Sequence, residues 1–297
     1  AHGGGFTKED CRAVQDFLYL CETEDFLMRE LGHPPKEFAF SPTGDYAKGH
    51  GEAAAAQLRA ALGHDDHAVP RDVYAEFRRV GVHVFRRKLG NSTISGLFIM
   101  HPVAGKCVLI NHSEDIYRQR FSAAHEMAHA IFDSARGASV SFEGPSGADR
   151  LELRANRFAS CFLMPPAFLS KLSALSQWTN ADALRWANEL RVSCIALAIA
   201  LKEANLIDKV TYDRISRLHV PREAKLDPEL PENLNATQRQ RKAHLSKLGL
   251  SDFYVNLCFE GFSAGVISIG RLAEALLCSH GDLAELATLY ARKLHGH

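Results

Sequence analysis

Two histidines four residues apart, in Ala124-His125-Glu126-Met127-Ala128-His129, are the side chains whose types and spacing most directly imply chemistry. On a helix, His125 and His129 lie about one turn apart on the same face, so both imidazoles can reach one ion. Glu126 sits about 100° round the helix from His125, beside such an ion without ligating it, which is the place for a general base. A zinc ion with three protein ligands keeps a fourth position for water and lowers that water's pKa toward about 7, so a neighbouring carboxylate can take the proton. Ala124, Ala128 and Ala130 leave room around the ion, while Phe121, Ile131 and Phe132 can anchor the helix in a core.

The third ligand has to come from elsewhere. Glu152, across a glycine- and serine-rich stretch, suits a returning helix; Asp149 lies one turn before it on nearly the same face. Asp133, one turn beyond His129, and Glu143 in the intervening stretch are further carboxylates. Spacing leaves Glu152 and Asp149 as alternatives.

The elements that must position these residues follow from periodicity. Residues 116–132 predict the helix that carries the two histidines, 134–148 a loop, and 149–163 a second helix ended by Pro165-Pro166. Three short β-rich runs precede them, at 82–85, 94–100 and 106–111, and predict a small sheet. Helices are expected at 8–31, 52–62, 70–80, 181–190, 193–204 and across most of 237–294. The polar, proline-containing stretch 221–233 reads as a connector and a candidate domain boundary. The opening Ala1-His2-Gly3-Gly4-Gly5 carries no fold information.

Lysine plus arginine equal aspartate plus glutamate at 35 each in 297 residues, so no overall charge draws the chain to nucleic acid or an anionic membrane. Seven scattered cysteines without a Cys-x-x-Cys pair give neither a disulfide framework nor a cysteine metal site, and a reducing cytoplasm is expected. No run is apolar and long enough for a membrane span. Residues 186–204 and 265–276 have a helix-turn-helix flavour, but the second helix of the former offers almost no polar side chain to a base edge, so core packing is the expected role. The basic runs Arg86-Arg87-Lys88 and 239–242 read as solvated faces. An oxyanion donor is chemically necessary; Tyr117, His101, His112 and Tyr212 are conceivable, and the sequence does not choose.

With these residues in view, the chain resembles the ImmA/IrrE family of bacterial metallopeptidases. The resemblance covers roughly residues 54–206 and rests on Arg118-Gln119-Arg120-Phe121-Ser122-Ala123-Ala124-His125-Glu126-Met127-Ala128-His129, together with Glu152-Leu153-Arg154-Ala155-Asn156-Arg157-Phe158-Ala159 and Leu163-Met164-Pro165. It implies an α+β, zincin-like core of a small sheet plus helices with a helical C-terminal region. It implies one Zn2+ per chain held by His125, His129 and Glu152, because Glu152 matches the family's third ligand, with Glu126 as the catalytic base. It also implies that Val108-Leu109-Ile110-Asn111 is a strand flanking the cleft, where an extended peptide could add by backbone pairing. Arg154 departs from the second glutamate of many relatives, and no repressor-like helix-turn-helix domain is recognisable before residue 54.

The organisation expected is an N-terminal helical segment at 1–53, a metallopeptidase domain at 54–206 that includes the helix pair 181–206, and a helical C-terminal region at 207–297. The expected function is limited cleavage of a helix-turn-helix repressor, with a protein substrate, no direct nucleic-acid binding and no membrane. The rival expectation is a non-catalytic zinc-containing regulator that binds a repressor or a sensory ligand.

Overall fold

Alternate residues of the strands go to opposite cores, and this divides the molecule into layers. Val82, Val84, Phe98, Val108 and Ile110 join one buried cluster, whereas Phe85, Leu97, Cys107 and Leu109 join another on the reverse of the sheet. The computed structural model describes residues 6–34, 36–91, 93–142, 150–173, 175–230 and 233–294. The opening glycine run, Glu143 and Asp149 lie outside the described residues.

In chain order the elements are α1 (Lys8–Glu30), α2 (Ala47–Ala61), α3 (Val73–Arg79), β1 (Val82–Arg87), β2 (Ile94–His101), β3 (Gly105–Asn111), α4 (Ile116–Phe132), β4 (Ala138–Phe142) and α5 (Arg150–Leu163). There follow α6 (Pro166–Leu169), α7 (Asn180–Glu189), α8 (Cys194–Glu203), α9 (Lys209–Ile215), α10 (Ala236–Lys247), α11 (Asp252–Ser263), α12 (Ile269–Ala275) and α13 (His280–Leu289). The fold is α+β, with four strands in the order β1-β3-β2-β4. β1 runs parallel to β3, while β2 is antiparallel to both β3 and β4.

Two sequence expectations change here. Residues 134–148 are not wholly loop: Ala138–Phe142 forms β4 and pairs with β2, although three of its five residues are small alanine or serine with weak strand preference. And β3 is not an edge. It is paired on both sides, by β1 and β2, so the stretch Val108 to Asn111 has no free backbone for a peptide. Its continuous burial is that of a central strand covered on both faces.

On one face lie α2 to α5 and α7 to α9; on the other lie α1 and α10 to α13, so the two ends of the chain meet there, with α1 packed on α11. His83 of β1 pairs through Nδ1 with Glu24 of α1 at 2.8 Å, fixing that helix to the sheet. The expected solvated basic run is overturned as well: Arg86 and Arg87 are only 3% and 9% exposed. Arg86 Nε donates to Glu229 at 2.8 Å, and its Nη1 and Nη2 donate to Asp227 at 3.0 and 2.9 Å. It also reaches Gln119 of α4 and Ser246 of α10 and lies 4.8 Å over the Tyr74 ring. The stretch read as a polar connector is thereby bound to β1 by a buried ion cluster.

His112, just past β3, belongs to the same surroundings. Burial first, and the nearby Arg86 cation second, push its pKa down to about 4 from 6.5, and its Nε2 is buried without a partner. The folded chain therefore keeps His112 neutral where the unfolded chain would protonate it. Between pH 6.5 and about 4 the unfolded state binds more protons, so stability falls as pH falls through that window. The loss amounts to roughly 3 kcal/mol at the lower limit, at about 1.4 kcal/mol per pKa unit. Urea unfolding at about pH 7 and about pH 4.5 should show this slope in the wild type and a shallower one in His112→Asn; parallel profiles would refute the assignment.

Among the described residues, no helix is long and apolar enough to cross a membrane.

Candidate metal centre

α4 starts where Asp115 accepts from the Tyr117 N–H, and it buries nearly its whole length, including His125, Glu126 and His129, against the sheet and α5. α5 is brought close by α2. Gly51 of α2 is where the two helices touch, since a Cβ there would meet the Arg154 carbonyl oxygen at 2.5 Å. Ala54, Ala55, Leu58 and Arg59 complete the buried face of α2. This approach holds α5 where Glu152 faces the histidines.

The structure brings His125, His129 and Glu152 into one cluster. The two Nε2 atoms are 3.2 Å apart; His125 Nε2 is 3.2 Å from Glu152 Oε2, and His129 Nε2 is 3.4 Å from Glu152 Oε1. Ligands held tetrahedrally at 2.0 to 2.1 Å from one zinc ion would be about 3.3 Å apart, so the three donors are spaced as that ion needs. The far ring nitrogens are tied elsewhere: His125 Nδ1–H donates to Asn156 Oδ1 at 3.0 Å, and His129 Nδ1–H donates to Asp133 Oδ2 at 2.8 Å. With the ring protons at Nδ1, both Nε2 lone pairs point into the same space, which only a cation or a shared proton can make favourable.

Electrostatics agree. Burial opposes a charge on His129, but the Asp133 and Glu152 carboxylates overcome it and hold its pKa at about 9, so an ion entering the site displaces a proton. The His125 and His129 imidazoles facing it hold the Glu152 carboxyl well below its usual range, ionised and ready to ligate. Its side chain is 21% exposed, against 8% and 2% for the histidines, so the cluster opens to solvent at Glu152. Asp133, weighed earlier as a rival ligand, instead supports the far side of the His129 ring.

Glu126 is fully buried and neither carboxylate oxygen has a hydrogen-bond partner. Burial raises its pKa, against the pull of the neighbouring His125 and His129. Its room is provided by Gly96. A Cβ at that position would sit 3.0 Å from Glu126 Cγ, 3.1 Å from the Leu109 carbonyl oxygen and 3.2 Å from Glu126 Oε1. The β2–β4 register slips by one residue between Ile94 and Gly96, a bulge beside the carboxylate. Sequence reasoning passed over Gly96, although a glycine inside a strand commonly marks such a close approach.

The four conceivable oxyanion donors are engaged in other contacts. The Tyr117 hydroxyl donates to Asn188, His101 Nε2 meets Glu22 at 3.2 Å, His112 lies in the Arg86 cluster, and Tyr212 lies under Lys202 at 4.5 Å.

No match to the chain was found among curated proteins. The family model described as the IrrE N-terminal-like domain, Peptidase_M78, matches residues 77–202, a span that contains α4, the whole His125/His129/Glu152 cluster and Glu126. Over residues 77–202 the chain is thus similar to the Peptidase_M78 family of the ImmA/IrrE metallopeptidases.

Proposed function

We propose that the chain is a zinc-dependent endopeptidase that makes a limited cut in a helix-turn-helix transcriptional repressor. The observation that carries the reading is the convergence of two imidazole nitrogens and one carboxylate on a common point, next to a buried carboxylate with no partner of its own. His125, His129 and Glu152 would hold one Zn2+, a set of nitrogen and oxygen donors that suits this ion and leaves a position open. When bound, the ion supplies Lewis acidity and an acidic water.

The remaining chemistry belongs to the chain. Glu126 takes the proton of the attacking water at its carboxylate and passes it to the leaving nitrogen. Its raised pKa brings it closer to neutral pH, where it both accepts and returns a proton efficiently. β4 is bonded to β2 on one side, and no strand among the described residues pairs with its other side. An extended segment of the substrate fits that edge by strand addition, in place of the β3 edge expected from sequence. The neutral charge balance favours a protein partner over a nucleic-acid backbone.

The test is co-expression of the wild type and Glu126→Gln with candidate repressors, with products read by intact-mass spectrometry. A discrete fragment with the wild type alone supports the peptidase. Intact repressor that co-purifies with both proteins would instead support the zinc-containing regulator.

Gly96 yields a second expectation. Gly96→Ala forces Glu126 aside, because the Leu109 carbonyl opposite cannot yield without breaking the sheet. Turnover should drop by up to about tenfold with zinc content unchanged, since the carboxylate must shift by only part of the ångström that costs about a hundredfold. Wild-type turnover in this variant would show that Glu126 tolerates the methyl group.

A further inference from the structure

α5 supports the histidines in three ways. Glu152 faces both Nε2 atoms, Asn156 accepts from Nδ1 of His125, and Arg154 reaches Asp133, which accepts from Nδ1 of His129. The two outer supports differ in kind. Asn156 is neutral and acts directly; Asp133 is a carboxylate, 6% exposed, and caps the C-terminal end of α4, with its backbone N–H bonded to the His129 carbonyl at 2.8 Å. A carboxylate so buried needs a cation close by.

Arg154 Nη2 donates to Asp133 Oδ1 at 2.7 Å, which leaves Oδ2 for His129. The guanidinium is held from its other side as well. It lies 4.2 Å over the Phe132 ring, and Phe40 meets that ring edge-on at 5.5 Å. Arg136 is the other arginine near Asp133 among the described residues, but at 4.0 Å and with its side chain 65% exposed it adds little.

We propose that Arg154 is a positioning residue of the metal centre: by clamping Asp133 it fixes the orientation and tautomer of His129, and so sets how tightly His125, His129 and Glu152 hold the ion. Arg154 is not itself a ligand. The inference rests on the metal-centre reading given above.

The experiment is a Zn2+ titration of the metal-free full chain against a competing chromophoric chelator. It compares the wild type, Arg154→Ala, Asp133→Asn, the double variant and His129→Ala, with the melting temperature of each metal-free protein measured alongside. The wild type should bind one equivalent. Arg154→Ala should lose about 10- to 100-fold in affinity, the usual range for an outer-shell partner of a ligand, while its metal-free form still melts cooperatively. The double variant should bind no more weakly than Asp133→Asn alone, because both changes remove the same relay. Arg154→Lys should recover part of the loss, keeping the cation but losing the planar fork and the stacking on Phe132. If Arg154→Ala does not fold, Arg154→Lys and Arg154→Gln decide by the same readout. Wild-type affinity in the Arg154 variants, or additive losses in the double variant, overturns the proposal with the metal centre intact. Zinc binding that survives His129→Ala, or no stoichiometric binding by the wild type, overturns the metal-centre reading and this inference together.

Discussion

Glu126→Gln is expected to bind one zinc ion as tightly as the wild type and to lose cleavage by about 10²- to 10⁴-fold, the range a positioned general base contributes. The amide keeps the shape of the carboxylate, so the packing against Gly96 is preserved, but it cannot accept a proton. Zinc should be retained because the donor cluster is made of His125, His129 and Glu152 without Glu126. A further consequence separates a base from a structural group. Glu126 is fully buried with both oxygens unpartnered, so removing its charge should leave the metal-free protein as stable as before or more so. Intact-mass analysis of a co-expressed repressor, zinc content and a thermal melt read the three outcomes. Undiminished cleavage sinks the assigned base, and loss of zinc would make Glu126 a ligand.

Arg86→Ala should be the most damaging single change outside the metal centre, at about 3–5 kcal/mol, the cost of leaving the partner of a buried ion pair uncompensated. Glu229 would remain, 9% exposed, with only Arg78 Nη2 at 3.4 Å among the described residues to offset its charge. Burial would raise the Glu229 pKa, yet Arg86 and Arg78 hold it below its usual value, which shows how far this carboxylate depends on them. In a chain of this size, that loss corresponds to a drop in Tm on the order of 10 °C. Replacing both partners, as in Arg86→Met with Glu229→Leu, should restore much of the stability, since an apolar pair of similar volume is often no worse than the ions. A drop of only a degree or two in Arg86→Ala would mean that the pair contributes no more than a surface contact.

What was legible in the sequence was local. The i, i+4 spacing of His125 and His129 on one helix needs only helical geometry to put both rings on a common face, and the short β-rich runs that became β1, β2 and β3 need only a buried sheet. The third donor was less determined. Glu152 and Asp149 shared a helical face, and the family resemblance, rather than spacing, favoured Glu152. The structure brings Glu152 to the rings, whereas Asp149 lies outside the described residues.

Tertiary structure decided everything that depends on two distant segments meeting. Ala138–Phe142 became a strand because β2 offered a backbone to pair with, which its own side chains do not announce. Arg86 and Arg87 read as a solvated basic run because a charge pattern does not show which carboxylates will come to meet it; here Glu229 and Asp227 arrive from about 140 residues away, and Asp16 from α1. Gly96 and the Arg154–Asp133 pair have the same character. Each supports Glu126 or His129 from another element, and no periodicity along the chain encodes that contact. The sequence by itself determined which residues can do the chemistry, because their spacing along one helix is a local property. Their orientation, burial and protonation were decided by packing α4 between the sheet and α5, since those depend on neighbours that only the folded chain supplies.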